Sequence, residues 1–363
     1  MCFALHPPVN VLYNARFPPL MYKIKIIPED FIVKELSKVS AKENGQYAYF
    51  ILKKTNYSTV RALEVVSQKL NIPLKNIGFA GNKDKNAVTE QAISIFKGSK
   101  NSENLNLRNI ELKYLGNGKE PISLGDLDGN VFTITIRNLN NDEVKKIKNL
   151  ENKRINVPNL FGPQRFSNNN HLVGKAIIRK DFKKAVELIL ENSGNIEENI
   201  KVYLKNSKND YAGALRLISL KTRKLFVHAY QSFLFNRVTD EYLRNNEINN
   251  KDDKIKNYDK MENIEIPIIG FNFDLNETKN KVLKNIIKKI LEEEKLNPRD
   301  FIINQMPELT SEGTQRYLFF ELKGLKILEI NNDELNESMK KMKINFTLPK
   351  SCYATTLIEF IFL

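Results

Sequence analysis

The sequence predicts an α+β fold in which a sheet domain is interrupted by an insertion. Three observations predict it. Strand-like runs fill the first part of the chain and return after Gly313. Helical spacing dominates from about Asn159 to Gly313. Strand and helix nowhere alternate strictly as in a βαβ array. With 363 residues the chain exceeds what one hydrophobic core usually serves, and its 41% of apolar residues suffices for two.

Ile24-Lys25-Ile26 and Phe31-Ile32-Val33-Lys34-Glu35 read as short strands around a turn at Pro28-Glu29-Asp30, and Gln46 to Leu52 reads as another strand. Ser58 or Thr59 can cap a helix running to about Leu70, with Val60, Leu63, Val66 and Leu70 on one face and Pro73 ending it. Ile77 to Ala80 reads as a short buried strand leading into Gly81. Gln91 to Phe96 and Val131 to Ile136 read as strands, and Asp142 to Leu150 as a connecting helix. In the middle section, Lys175 to Glu191, Lys224 to Asn245 and Val282 to Glu294 carry helical spacing, and the polar stretch Asn246 to Asn257 reads as an exposed loop. Strand-like runs return at Leu318 to Lys323, Lys343 to Leu348 and Ala354 to Leu363. No internal repeat is evident.

Charge and composition narrow the function classes. Lys plus Arg total 57 against 43 for Asp plus Glu, a net charge of +14, which favours a polyanionic partner such as nucleic acid. An acidic membrane surface is the competing partner, but no basic amphipathic helix or lipidation signal stands out, and no run approaches the ~20 apolar residues of a membrane span. Cys2 and Cys352 give neither a CxxC pair nor a disulfide framework, which fits a reducing compartment. His6, His171 and His228 are scattered without metal-ligand spacing, so no metal is expected. Met1 to Leu20 carries Pro7-Pro8 and Pro18-Pro19 and no basic region before an apolar run; it reads as a poorly ordered tail rather than a signal peptide, with Met21 as an alternative start.

The chemistry concentrates in Gly78-Phe79-Ala80-Gly81-Asn82-Lys83-Asp84-Lys85-Asn86-Ala87-Val88-Thr89-Glu90-Gln91. Two glycines approach a tight turn that sets Lys83 beside Asp84. The spacing fails the phosphate-loop pattern in length and lacks its hydroxyl, and no phosphate loop accompanies Asn82-Lys83-Asp84 as a guanine-reading loop would require. By residue type alone, a charged turn between two strands is the favoured reading of this segment. A second segment, Val157-Pro158-Asn159-Leu160-Phe161-Gly162-Pro163-Gln164-Arg165-Phe166, mixes aromatics, amides and an arginine that can stack a base and hold a phosphate, or anchor a loop into a core.

Together these segments resemble a family. Gly81 to Gln91 looks like the G-x-K-D-x-x-A-x-T-x-Q signature of the TruD family of tRNA pseudouridine synthases. Pro28 to Glu35 is similar to its P-x-D-F-x-V-x-E motif, and Asn159 to Phe166 to its N-x-F-G-x-Q-R-F motif. His228 to Asn236 resembles its A-Y-Q-S-x-L-F-N helix, and Leu348 to Thr355 its closing L-P-x-G-x-Y-A-T. The five motifs stand in order from Pro28 to Thr355. Two positions depart: Ser167 and Ser351 stand where the family usually has glycine, which puts the local backbone geometry in question. The glycine-rich stretch that often precedes the first motif is also missing.

The resemblance implies a mixed-sheet pseudouridine synthase catalytic domain over 22–157 and 313–363, with an inserted α/β TruD-specific domain over 158–312. It implies Asp84 as the catalytic carboxylate, acting either by addition to C1′ or by removal of the C2′ proton. It implies Phe161 as a stacking platform, with Lys83, Glu35, Asn159, Gln164 and Arg165 around the substrate: Lys83 beside Asp84 or on a phosphate, Glu35 positioning Lys83 or the loop, Asn159 orienting backbone. Lys175, Arg179, Lys183 and Lys184 could wall an RNA cleft or form a solvated helix face. The expected substrate is tRNA, at uridine 13, with no cofactor, no metal, no membrane and no obligatory protein partner, in a cytoplasmic monomer. The competing readings are a synthase acting on another RNA and a non-catalytic RNA-binding protein on the same fold.

Overall fold

The computed structural model describes residues 22–41, 44–167, 169–246 and 258–362. The tail expected over residues 1–21, and all but the first residue of the loop expected over 246–257, lie outside the described residues. In chain order the elements are β1 (Phe31–Ser37), β2 (Tyr47–Thr55), α1 (Thr59–Leu70), β3 (Ile77–Phe79), β4 (Val88–Phe96), β5 (Ile110–Gly118), β6 (Leu127–Leu139), α2 (Asn141–Lys148), β7 (Arg154–Pro158), α3 (Asn170–Ile178), α4 (Phe182–Leu190), α5 (Asn195–Asn206), α6 (Tyr211–Arg216), α7 (Leu220–Asn246), β8 (Glu265–Ile268), α8 (Lys281–Glu293), β9 (Thr314–Tyr317), β10 (Phe319–Asn332), β11 (Lys340–Pro349) and α9 (Ala354–Ile361). Residues 22–155 with 321–362 form one compact unit and 156–320 another.

The first unit is built on a mixed sheet in the order β5-β2-β4-β1-β6-β11-β10-β7, with β3 pairing β4. β1 runs parallel to β4, Val33 opposite Thr89, and antiparallel to β6, Phe31 opposite Ile134. The alternation of β2 decides which face is buried under α1. Ala48, Phe50 and Leu52 share a face with Ile93 and Ile95 of β4 and Ile110 and Leu112 of β5, and Ala62, Leu63 and Val66 of α1 pack onto it. Ser58 caps α1 by accepting from the Arg61 N–H, and Asn71 ends it in the left-handed conformation at φ 53°.

The second unit is mainly helical. α7 buries Phe226, Val227, Tyr230, Leu234 and Val238 along its length. Gly174 lets α3 approach α7 closely, because a Cβ there would stand 2.0 Å from the Phe226 carbonyl oxygen. Glu294, just past α8, is buried and satisfied by the Tyr230 hydroxyl at 2.7 Å, Lys175 at 2.8 Å and Arg237 at 2.7 Å.

Three expectations about secondary structure are corrected. Ile24-Lys25-Ile26 is not a strand: Lys25 adopts φ 59°, which breaks extension, and only Lys23 bridges the sheet, at Arg137. The run from Ala354 is the helix α9, not a strand; its residues from Leu357 to Ile361 are all buried, so the apolar run carries no period that separates the two forms. Lys175 to Glu191 is two helices. Lys180 at φ 60° ends the first, and the Asp181 side chain caps the second by accepting from the Lys184 N–H.

The two departures from glycine explain themselves by backbone. Ser167 sits at φ 47° and Ser351 at φ 68°, both in the left-handed region where a Cβ is strained. Ser167 is exposed, so Ser167→Gly should raise the denaturant midpoint by the equivalent of up to about 1 kcal/mol, relief of strain outweighing the added freedom of the unfolded chain. A lowered midpoint would mean that the serine side chain contributes more than the strain costs.

Candidate active site

The alternation that builds the core of the first unit turns polar at one end. After Ala48, Phe50 and Leu52 the same face of β2 presents Lys54. On β4 the apolar Ile95 and Ile93 give way to Gln91 and Thr89, opposite Leu52 and Lys54. Lys54, Gln91 and Thr89 are each 0% exposed and Thr59, at the start of α1, is 1% exposed. Buried polar groups need partners, and three of these find theirs in the β3–β4 loop. The Lys54 ammonium donates to the Asp84 carbonyl at 2.8 Å and to the Tyr57 carbonyl at 2.6 Å. Thr59 accepts from the Lys83 N–H at 2.8 Å and donates to Gln91 Oε1 at 2.9 Å, while Gln91 Nε2 donates to the Gly81 carbonyl at 2.9 Å. The loop Gly81–Asp84 is therefore held from beneath by buried side chains. A merely solvated turn needs no such scaffold; a loop that must hold a side chain in one geometry does.

Lys83 and Asp84 have different partners. Asp84 Oδ1 lies 2.7 Å from the Lys25 ammonium, and both side chains are partly exposed, at 26% and 16%. Lys25 also stands 4.0 Å from the centre of the Phe31 ring. The Lys83 ammonium reaches Glu35 Oε2 at 2.6 Å in a buried ion pair whose angles fall short of a hydrogen bond. Glu35 Oε1 accepts the Ala92 N–H at 3.2 Å, which ties that pair to β4. Burial pushes the Lys54 ammonium down to about 8; the Asp84 carboxylate opposes that shift and Lys83 adds to it.

The remaining expected residues lie on the second unit. The Phe161 backbone is clamped by one side chain: Asn236 Oδ1 accepts its N–H and Asn236 Nδ2 donates to its carbonyl, each at 2.9 Å. The Phe161 ring is buried, edge-to-face with Phe235 at 5.4 Å, with the Arg316 guanidinium 4.6 Å and the Arg165 guanidinium 5.7 Å from its centre. Arg316 is fixed by Asn159, donating to its carbonyl at 2.9 Å and to its side-chain oxygen. Asn159 Nδ2 donates to the Tyr317 carbonyl at 3.1 Å. Arg165 donates to Ser232 Oγ at 3.2 Å, and Gln164 is exposed on the turn before it. The polar residues of the α7 motif thus have local work: Ser232 and Asn236 hold the 159–166 segment, and Gln231 holds the Ile269 carbonyl at 2.9 Å.

Of the four basic residues expected on one wall, Arg179, Lys183 and Lys184 are exposed, whereas Lys175 is spent on the buried Glu294. His171 packs between Phe166 and Phe233, and burial lowers its pKa to about 4. Among the described residues no group of three His, Cys, Asp or Glu side chains could hold a metal, and no helix is long and apolar enough to cross a membrane.

Lys25, Lys54, Arg316 and Asn236 were not singled out by sequence reasoning. Lys54 did leave a signal, a lysine where the alternation of β2 calls for an apolar residue. Asn236 lay inside a matched motif without an assigned role. Lys25 and Arg316 left none, because each meets its partner only through the fold.

Residues 10–202 and 190–360 match the family model described as tRNA pseudouridine synthase D (TruD). The chain belongs to the TruD family. It is 29% identical over 391 residues to tRNA pseudouridine synthase D of Aquifex aeolicus, a match covering 94% of this chain and 98% of that one. It is 30% identical to a Methanosarcina acetivorans protein named "Probable tRNA pseudouridine synthase D", over 96% of this chain and 94% of the relative. Its fold matches the crystal structure of a TruD candidate from Methanosarcina mazei with a TM-score of 0.71 and 28% identity, covering 96% of this chain and 95% of that one. TruD membership makes the chain an isomerase and its mixed sheet that of a pseudouridine synthase.

Proposed function

We propose that this TruD-family chain isomerises a uridine of tRNA to pseudouridine, at uridine 13, with Asp84 as the reacting carboxylate. The observation that carries the reading is the Asp84 loop, whose carboxylate meets the Lys25 ammonium at 2.7 Å while its backbone is held by Lys54, Thr59 and Gln91.

The reaction breaks the N1–C1′ bond, turns the base and joins C5 to C1′. The C5 proton is lost and N1 is protonated, so atoms and electrons balance without a cofactor. Asp84 acts either by adding to C1′ or by removing the C2′ proton. Both routes need it ionised, and the adjacent ammonium stabilises that charge. The Lys83–Glu35 pair turns the Lys83 side chain inward, and Asp84 is left as the one carboxylate that the loop presents.

A uridine must leave its stack to react, at a cost of a few kcal/mol. Phe161 is the proposed platform that recovers part of this, stacking being worth ~1–3 kcal/mol per base. Its ring already carries the Arg316 guanidinium, so a base stacks on it only where that planar cation leaves room or yields. Asn159 supports this platform through Arg316 and Arg165 stands over its ring, while Gln164, exposed on the adjoining turn, is left to meet the substrate. The net charge of +14 fits a partner held largely through its phosphates.

The test is incubation of the purified protein with a panel of unmodified tRNA transcripts, followed by mapping of pseudouridine. Formation at position 13 alone supports the reading. Formation only in another RNA moves the substrate. Tight tRNA binding with no product in any RNA favours the non-catalytic reading.

A further inference from the structure

We propose that Lys54 is a positioning residue of the reaction, its ammonium clamping the backbone of Asp84 from beneath the sheet and so fixing where the carboxylate stands. This rests on the assignment of Asp84 as the reacting group.

The placement of Lys54 is the first argument. The register puts it on the face shared by Ala48, Phe50 and Leu52, opposite Thr89 of β4 and Ile110 of β5. That face is the hydrophobic core under α1, and an apolar side chain there would extend it. The chain instead buries a charged one at 0% exposure. Lysine is almost never fully buried unless paired. Here the ammonium donates to two backbone carbonyls, of Tyr57 at 2.6 Å and of Asp84 at 2.8 Å. It joins the turn before α1 to the residue that carries the chemistry. Packing gives no reason for a lysine here; holding the Asp84 carbonyl does.

The electrostatic surroundings make the clamp sensitive to proton loss. Asp84 and Lys83 act on it from the β3–β4 loop. Lys25, ahead of β1, is joined to Asp84, and Glu35 of β1 to Lys83. Thr89 and Ile110 face it without charge. Burial lowers the pKa of Lys54 to about 8. Below that value the clamp is charged, and charge-assisted bonds are roughly twice as strong as neutral ones. Above it the neutral amine holds both carbonyls more weakly.

Lys54→Met and Asp84→Asn are compared with the wild type for kcat, KM, tRNA affinity and melting temperature from pH 6.5 to 9. In wild type, kcat should fall as pH rises through about 8 while tRNA affinity is steady. Lys54→Met should lower kcat by about 100-fold, the effect of a carboxylate misplaced by an ångström. It should leave KM and affinity within about two-fold and lose the alkaline limb, since the group that titrates is gone. A variant with wild-type kcat, or one that keeps the alkaline limb, overturns the inference. So does an equal loss of kcat and affinity, which marks a general structural role. If Lys54→Met fails to fold, Lys54→Gln, which keeps amide donors without the charge, is judged by the same limb. An inactive Asp84→Asn beside a normal Lys54→Met sinks the Lys54 inference alone. An active Asp84→Asn sinks both.

Discussion

Asp84→Asn should abolish pseudouridine formation, lowering kcat by about 10,000-fold or more, while tRNA affinity stays within a few-fold of wild type or rises slightly. The substitution is chosen for what it preserves. The amide has the shape of the carboxylate, and its oxygen can still accept from Lys25 where Oδ1 does at 2.7 Å. The backbone carbonyl that Lys54 holds, the Lys83 N–H that Thr59 accepts and the Gly81 carbonyl that Gln91 holds are untouched. What is lost is the negative charge able to add to C1′ or take the C2′ proton. Release of the C5 hydrogen as solvent-exchangeable label measures turnover directly, because that proton departs in every cycle. Asp84→Glu is the geometric companion. It keeps the charge but moves it outward by one methylene and away from Lys25, so a loss of about 100-fold is expected. If Asp84→Asn retains a tenth of wild-type turnover, the reacting carboxylate is elsewhere.

The legible parts of this molecule are those set by local physics. β4, β6, β11, α1, α2, α7 and α8 lie within a few residues of where alternation, helical spacing and caps put them. The errors share a cause. α9 is buried all round, so its apolar run has no period; the break at Lys180 shows only as an Asp181 placed to cap α4. β8 and β9 take their form from pairing partners that no local pattern announces, whereas β5 does alternate, Ile110, Leu112 and Tyr114 against Glu111 and Lys113, and β7 does so only over Ile155 and Val157. For the site, motif resemblance located the loop and its charged residues, because their order along the chain is their order in the turn. It did not locate Lys25, which meets Asp84 across 59 residues of sequence from a left-handed backbone position read as a strand. Nor did it locate Arg316, which meets Asn159 across 157 residues.

The position of Lys25 depends on a buried ionic network, and breaking it should be the most damaging single change to stability in the sheet unit. Arg137 of β6 donates to Asp30 at 2.9 and 3.0 Å and to Asp333 at 3.0 Å, with side-chain exposures of 3%, 2% and 0% in that order. The Arg137 backbone pairs with Lys23 through reciprocal bonds of 2.8 and 2.9 Å, so one residue fixes both ends of the segment that carries Lys25. This gives the aspartate of the Pro28-Glu29-Asp30 turn a structural reason. Arg137→Met leaves two buried carboxylates without their cation and should cost about 3 kcal/mol at neutral pH. Arg137→Lys keeps the charge but not the fork, and should fall between. The loss should depend on pH in a defined direction. Burial pushes the Asp333 carboxyl up, but the Asn138 and Leu335 N–H groups, Asn336 and Arg137 together hold it below its ordinary value of 3.8. A depressed pKa in the folded state stabilises above the unfolded value and is lost as pH falls through the folded one. The gap between wild type and Arg137→Met should therefore be widest near neutrality and narrow as pH falls through the depressed pKa of Asp333, where its protonated carboxyl no longer needs the guanidinium. Melting curves taken from pH 7 down to about pH 2.5 follow the gap through that range. Equal gaps would mean that Arg137 stabilises by packing its aliphatic stem, and Lys25 would then owe its place to the backbone bridge at Lys23 alone.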